Sequence, residues 1–124
     1  MNGPRIWLPA VLWAAMIFAL SSMPDLTPDV ELFPYSDKMA HFVLYAPLGY
    51  FLMRATSLHS GPMQHHPLLW AVILGVLYGL SDEIHQAFVP GRTMDPFDWL
   101  ADGLGVIAGA LWQQRIGSKK AKQI

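Results

Sequence analysis

Cysteine is absent from the 124 residues. That absence removes disulfide frameworks, thiolate metal sites and a cysteine nucleophile together, and identifies no compartment. Charge is scarce as well: Asp, Glu, Lys and Arg make up 14% of the chain, and the formal net charge is -1. No basic patch with interleaved aromatics occurs, so no nucleic-acid partner is expected. A soluble domain this small exposes much of its surface and needs more charge than that.

What the chain has instead is apolar length. Hydrophobic residues make up 53% of it, and the mean hydropathy is +0.32. A helix rises about 1.5 Å per residue and a hydrocarbon core is about 30 Å thick, so roughly twenty residues are needed to cross. Windows near that length fall at 6–22, 39–55, 68–88 and 97–113. The last three reach it only with their polar ends included, which neighbouring helices can shelter where lipid cannot. The expectation is a single domain over 1–124, an all-α membrane protein built as a bundle of four transmembrane helices. The first window also has the parts of a cleaved signal peptide, with Arg5 ahead of it and Ala19-Leu20-Ser21 as a small-residue site. It is long and Trp-rich and contains Pro9, however, and the later windows need a fourth helix to pack against. Pro9 and Pro47 can kink their helices. Gly75-Val-Leu-Tyr-Gly79 and Gly105-Val-Ile-Ala-Gly109 are both GxxxG, a spacing that lets backbones approach. Trp7, Trp13, Trp70, Trp99 and Trp112 fall mostly near span ends, as an aromatic belt requires.

Lys and Arg in short loops set orientation. Arg5 precedes the first span, Arg54 lies between the second and third, and Arg115, Lys119, Lys120 and Lys122 follow the fourth. Between spans one and two lie Asp25, Asp29, Glu31 and Asp37 against Lys38, and between three and four Arg92 is the one cation. Both termini are therefore expected in the cytoplasm.

That topology gathers the polar residues on the outer side. Asp37, His41 and Tyr45 are four apart and share a helix face; so do Tyr78, Asp82 and either His85 or Gln86, and so do Asp98 and Asp102. Glu83 sits about 100° from Asp82 on the third helix. Three helices can each turn a polar face toward a common outward cavity. Asp37 and Asp98 also fit simple capping, because a helix N-terminus favours anions. Asp82 and Glu83 sit at the end that disfavours them and need cations, with Arg92, Lys38 or a protonated His41 available.

Arg92 and Lys38 are the expected anion contacts, and Asp82 and Glu83 their orienting partners or acid–base groups. His41 is the candidate proton-handling group, and Gln86, Asp37, Asp98 and Asp102 complete the ligand-facing set. His41, His85 and the carboxylates could ligate a cation, but neither HExxH nor any other ligand spacing occurs, so no metal is assigned. No cofactor is identified. Ser36 and Ser81 are nucleophile candidates by position alone, and His65-His66 reads as a solvated loop.

SDKMAHFVLYAPLG followed by YGLSDEIHQAFVPGRTMDPFDWLADGLGVIAG resembles the VanZ-like family of small bacterial membrane proteins. The family pattern joins D-K-x-x-H-F at the start of one span to D-E-x-x-Q-x-F-x-P-x-R later. Here those positions are Asp37, Lys38, His41 and Phe42, then Asp82, Glu83, Gln86, Phe88, Pro90 and Arg92, followed by Asp98, Asp102 and Gly105. Many members carry asparagine where this chain has Asp102, which adds a negative charge here. The resemblance implies a multi-pass protein of the bacterial inner membrane with an envelope role, in a family linked by name to tolerance of the glycopeptide teicoplanin. It supplies no reaction. The expected ligand is an anionic lipid or a lipid-linked cell-wall precursor, with membrane lipids and an oligomeric or membrane-protein assembly as partners. The alternatives are a membrane-embedded hydrolase or transferase on a lipid-linked substrate, and a small accessory subunit whose polar network is structural.

Overall fold

A computed structural model describes residues 3–23, 36–92 and 94–122. The regular structure of these segments is all helical, in the order α1 Gly3–Ser21, α2 Ser36–Leu58, α3 Pro62–His65, α4 Pro67–Gln86 and α5 Pro96–Lys122. No strand occurs among the described residues. Asp25, Asp29 and Glu31 of the expected acidic loop lie outside them.

Prolines mark the starts. Pro62, Pro67 and Pro96 begin α3, α4 and α5, where the missing N–H is no loss and the fixed φ suits the first turn. Asp95 caps α5, its Oδ1 accepting the Phe97 amide at 2.9 Å. The end of α4 tightens, with Phe88 and Val89 amides bonding the His85 and Gln86 carbonyls, so the helix stops at Gln86 rather than 88. Val89-Pro90-Gly91-Arg92 then turns sharply. The Arg92 amide bonds the Val89 carbonyl at 3.1 Å, and Gly91 has φ 78°. Pro followed by a positive-φ glycine is the chemistry of a type II turn. At the far end α5 runs to Lys122, past the expected end at 113, because Gln113, Gln114 and Arg115 are sound helix formers.

Tertiary contacts fix the helix directions. Lys38 and His41 of α2 meet Asp98 and Asp102 of α5, so these helices run parallel. Ser22, just after α1, meets His85 near the end of α4, while Trp7 near the start of α1 reaches His59 just past α2. Thus α1 and α4 run one way and α2 and α5 the other. The end of α1, the start of α2, the end of α4 and the start of α5 share one end of the bundle.

The tightest seam joins α2 and α5. A Cβ on Gly109 would lie 1.7 Å from the Ala46 carbonyl oxygen, and one on Gly49 2.0 Å from the Val106 oxygen. A Cβ on Gly75 would strike the Val106 side chain at 2.5 Å. Both GxxxG stretches therefore face neighbouring helices, around a core of Ala10, Ile17, Tyr45, Leu48, Ala71 and Val106. Indole N–H groups cross the seams: Trp13 donates to the Leu44 carbonyl and Trp99 to that of Val76.

By length and apolarity α1 and α4, of 19 and 20 residues, could each cross a membrane. The polar ends of α2 and α5, with the basic tail of α5, keep those helices below that standard. Leu8 and Leu12, Met39 and Val43, Leu69 and Leu77, and Leu100 and Leu104 are all exposed, so each long helix turns large apolar side chains outward. Water does not favour such a surface.

Candidate functional site: a buried acidic cluster at one bundle end

His41, one turn into α2, lies between carboxylates from two other helices. Its Nδ1 is 2.8 Å from Asp102 Oδ1 and 3.9 Å from Glu83 Oε1, and its Nε2 is 3.7 Å from Asp98 Oδ2. The four-residue step of Asp98 and Asp102 puts both on the face of α5 that meets α2. Glu83 and Asp102 are 1% and 0% exposed, as buried as any apolar core residue here. Glu83 Oε2 accepts the backbone amide of Asp95 at 3.2 Å, while Glu83 Oε1 and Asp102 Oδ2 have no hydrogen-bond partner.

A second group sits around Lys38. Its ammonium nitrogen lies 2.6 Å from Asp37 Oδ2, 2.7 Å from Asp95 Oδ2 and 3.1 Å from Asp98 Oδ1. The Asp98 contact is an ion pair without hydrogen-bond alignment. The Lys38 hydrogen bond holds the Asp95 carboxyl below the usual carboxylate range.

Asp82 faces elsewhere. Its Oδ2 accepts the Tyr45 hydroxyl at 2.8 Å, and its Oδ1 has no partner. Both residues line a cavity of about 340 Å³ between α1, α2 and α4, shared with Asp37, His41, Gln86 and Arg92. Ile17, Leu20 and Leu44 form its apolar wall. The Gln86 amide lies 3.5 Å from Ser21 Oγ at the end of α1.

Lys38, His41, Asp37, Asp82, Glu83, Gln86, Arg92, Asp98 and Asp102 all lie at this end, but several partnerships differ from expectation. Arg92 does not pair with Asp82 or Glu83. The type II turn aims it at α1, where Nε and Nη2 donate to the Met23 and Leu20 carbonyls at 3.1 and 3.3 Å. These carbonyls lie at and just beyond the C-terminal end of α1, so the guanidinium serves as a cap there. Lys38 does not reach Asp82 or Glu83 either, because the α5 carboxylates and Asp37 surround it. His85 leaves the shared face, stacking on Phe18 at 4.7 Å between ring centroids and bonding Ser22 Oγ at 2.9 Å. Tyr78 donates to the Ala14 carbonyl.

Asp95 escaped the sequence reading. It caps α5, pairs with Lys38 and gives its amide to Glu83. The signal was available in Asp95-Pro96, an N-cap residue ahead of a first-turn proline. Among the described residues, Asp37, Asp82, Glu83, Asp95, Asp98 and Asp102 outnumber Lys38 and His41, and the cluster is acid-rich.

The VanZ/LLP1 family profile matches residues 6–115 and so takes in every residue of the cluster. Comparisons with curated proteins and with solved structures gave no match. The family match and the two apolar helices together identify a membrane protein. On a match spanning nearly the whole described bundle, the chain belongs to the VanZ/LLP1 family.

Proposed function

We propose that this chain is a four-span protein of the bacterial inner membrane with both termini cytoplasmic. Its cavity opens outward and binds the headgroup of an envelope lipid or lipid-linked cell-wall precursor. One observation carries the reading: a cavity of about 340 Å³ is lined both by the apolar Ile17, Leu20 and Leu44 and by charged groups of both signs. Such a site suits the junction of a lipid chain with its polar head. The guanidinium of Arg92 keeps donors beyond the two used on α1, and takes a phosphate or carboxylate. Asp82 and Asp37 lie on the same walls and repel a purely anionic ligand. They favour a headgroup whose anion is accompanied by an amine. A phospholipid and an amine-bearing cell-wall precursor share that chemistry.

Lipid mass spectrometry of protein extracted directly from membranes tests this. Phosphatidylethanolamine or an amine-bearing precursor is expected to co-purify ahead of phosphatidylglycerol, and the spectrum tells the two sources apart. Asp82→Asn and Arg92→Gln should each weaken retention about tenfold, roughly 1.4 kcal/mol. Equal retention of phosphatidylglycerol, unaffected by Asp82→Asn, overturns the amine requirement. The family resemblance adds teicoplanin tolerance as a phenotype to score in strains lacking or overproducing the protein.

The His41–Asp102 pair supports a second reading, hydrolysis or transfer on a lipid-linked substrate with His41 as general base. In that case His41→Gln abolishes product formation while lipid retention persists.

A further inference from the structure

We propose that His41, Glu83 and Asp102 form a binding site for a divalent transition metal, zinc or manganese, inside the bundle. One ligand atom from each residue lies within 4.8 Å of the other two. The tightest pair, His41 Nδ1 and Asp102 Oδ1, is 2.8 Å apart, and Glu83 Oε1 is 3.9 Å from the same nitrogen. Metal–ligand bonds are about 2.0–2.2 Å, so small side-chain movements bring all three donors onto one ion.

Proximity of acids alone does not make a site; the unpaired oxygens do. Glu83 is 1% exposed and Asp102 0%, yet Glu83 Oε1 and Asp102 Oδ2 accept no hydrogen bond. A buried carboxylate oxygen without a partner is costly, and a cation held by these two carboxylates offsets that cost. The neighbouring acidic group shows the contrast. Asp37, Asp95 and Asp98 are similarly close together, and Asp98 Oδ1 also accepts no hydrogen bond, but the Lys38 ammonium already lies within 3.1 Å of an oxygen of each. That group has its cation built in, and the triad has only a histidine.

Charge balance points the same way. A neutral imidazole, two carboxylates and a divalent ion sum to zero, whereas a protonated His41 still leaves one excess negative charge. One imidazole with two carboxylates and no thiolate suits zinc or manganese better than copper(I), and the imidazole disfavours calcium and magnesium. Two contacts hold the donors in place: the Asp95 amide fixes Glu83 Oε2 at 3.2 Å, and Asp98 Oδ2 faces His41 Nε2 at 3.7 Å. The three donors come from three helices, so no ligand spacing could appear along the chain. The site shares His41 with the headgroup cavity, whose lining includes neither Glu83 nor Asp102.

The test uses the full chain in detergent, stripped with chelator, desalted and reloaded with zinc chloride or manganese chloride. Elemental analysis after gel filtration should find about one metal ion per chain, and saturating metal should raise the unfolding temperature. Glu83→Gln and Asp102→Asn should each weaken binding at least about tenfold. The His65→Gln/His66→Gln double variant should bind as the parent does. X-ray absorption on the zinc-loaded parent needs no variant to fold, and one imidazole with oxygen donors supports the site. No retained metal, two or more imidazoles on zinc, or a folded Asp102→Asn with undiminished affinity overturns it.

Discussion

Asp95 bridges the two halves of the polar cluster: its side chain pairs with Lys38 and its amide bonds Glu83. The Lys38 hydrogen bond depresses its carboxyl in the folded protein. A depressed carboxyl stabilises the fold above its unfolded value of about 3.9, and that contribution is lost as pH falls through the lower folded value. The stability difference between the parent and Asp95→Asn should therefore be constant from neutral pH to about pH 5 and shrink toward acid. Denaturant unfolding in detergent across that range measures it, and a difference that grows toward acid would contradict the pairing. Asp95 is partly exposed, so this effect is smaller than the loss of a buried pair.

Among the elements, the seam between α2 and α5 is set by glycine. At Gly109 and Gly49 a methyl group would collide with backbone oxygens, which cannot move aside as a side chain can. Gly109→Ala and Gly49→Ala should each destabilise the bundle by about 1–3 kcal/mol, as overpacking does. Gly117→Ala meets only the end of the Gln113 side chain, at 3.8 Å. Within a helix it should be neutral or stabilising by up to about 1 kcal/mol. Thermal unfolding of the three variants in one detergent separates the two outcomes. The sequence made much of this visible. Apolar windows located the four long helices to within a few residues at most ends, and the GxxxG spacings marked surfaces that approach closely. Helical periodicity put Asp37, His41 and Tyr45, and then Asp98 and Asp102, on faces that do meet. What stayed hidden depends on how the 87–95 connection folds. The turn at Pro90-Gly91 sends Arg92 to the end of α1 rather than to the carboxylates, and brings the Asp95 amide to Glu83. The periodicity of a helix carries no information about where the loop beyond it returns. His85 was ambiguous for the same reason, since its side depended on where α1 packs.

For the whole molecule, the charge distribution predicts how the bundle sits in lipid. Among the described residues, only α1 and α4 are apolar enough to cross by themselves. In the bundle, however, Lys38 and His41 of α2 turn toward Asp98 and Asp102 of α5, while Leu100, Leu104, Ile107 and Leu111 of α5 face outward. A helix whose polar groups are satisfied by its neighbours can cross a membrane although its mean hydropathy is low. The carboxylates lie where α2 and α5 begin, whereas Arg54 and Arg115 lie toward the opposite ends of those helices. The positive-inside rule then predicts the acidic cluster on the outer side. A chain without cysteine allows this to be tested against no background. Met94→Cys, beside Asp95, and Ser60→Cys, between α2 and α3, replace exposed residues at opposite ends of the bundle. In spheroplasts a membrane-impermeant maleimide should label Met94→Cys and spare Ser60→Cys, which reacts once the membrane is permeabilised. The reverse pattern would invert the orientation and turn the cavity toward the cytoplasm. Labelling of both positions in intact spheroplasts would mean that the two bundle ends are not on opposite sides, and would remove the four-span arrangement.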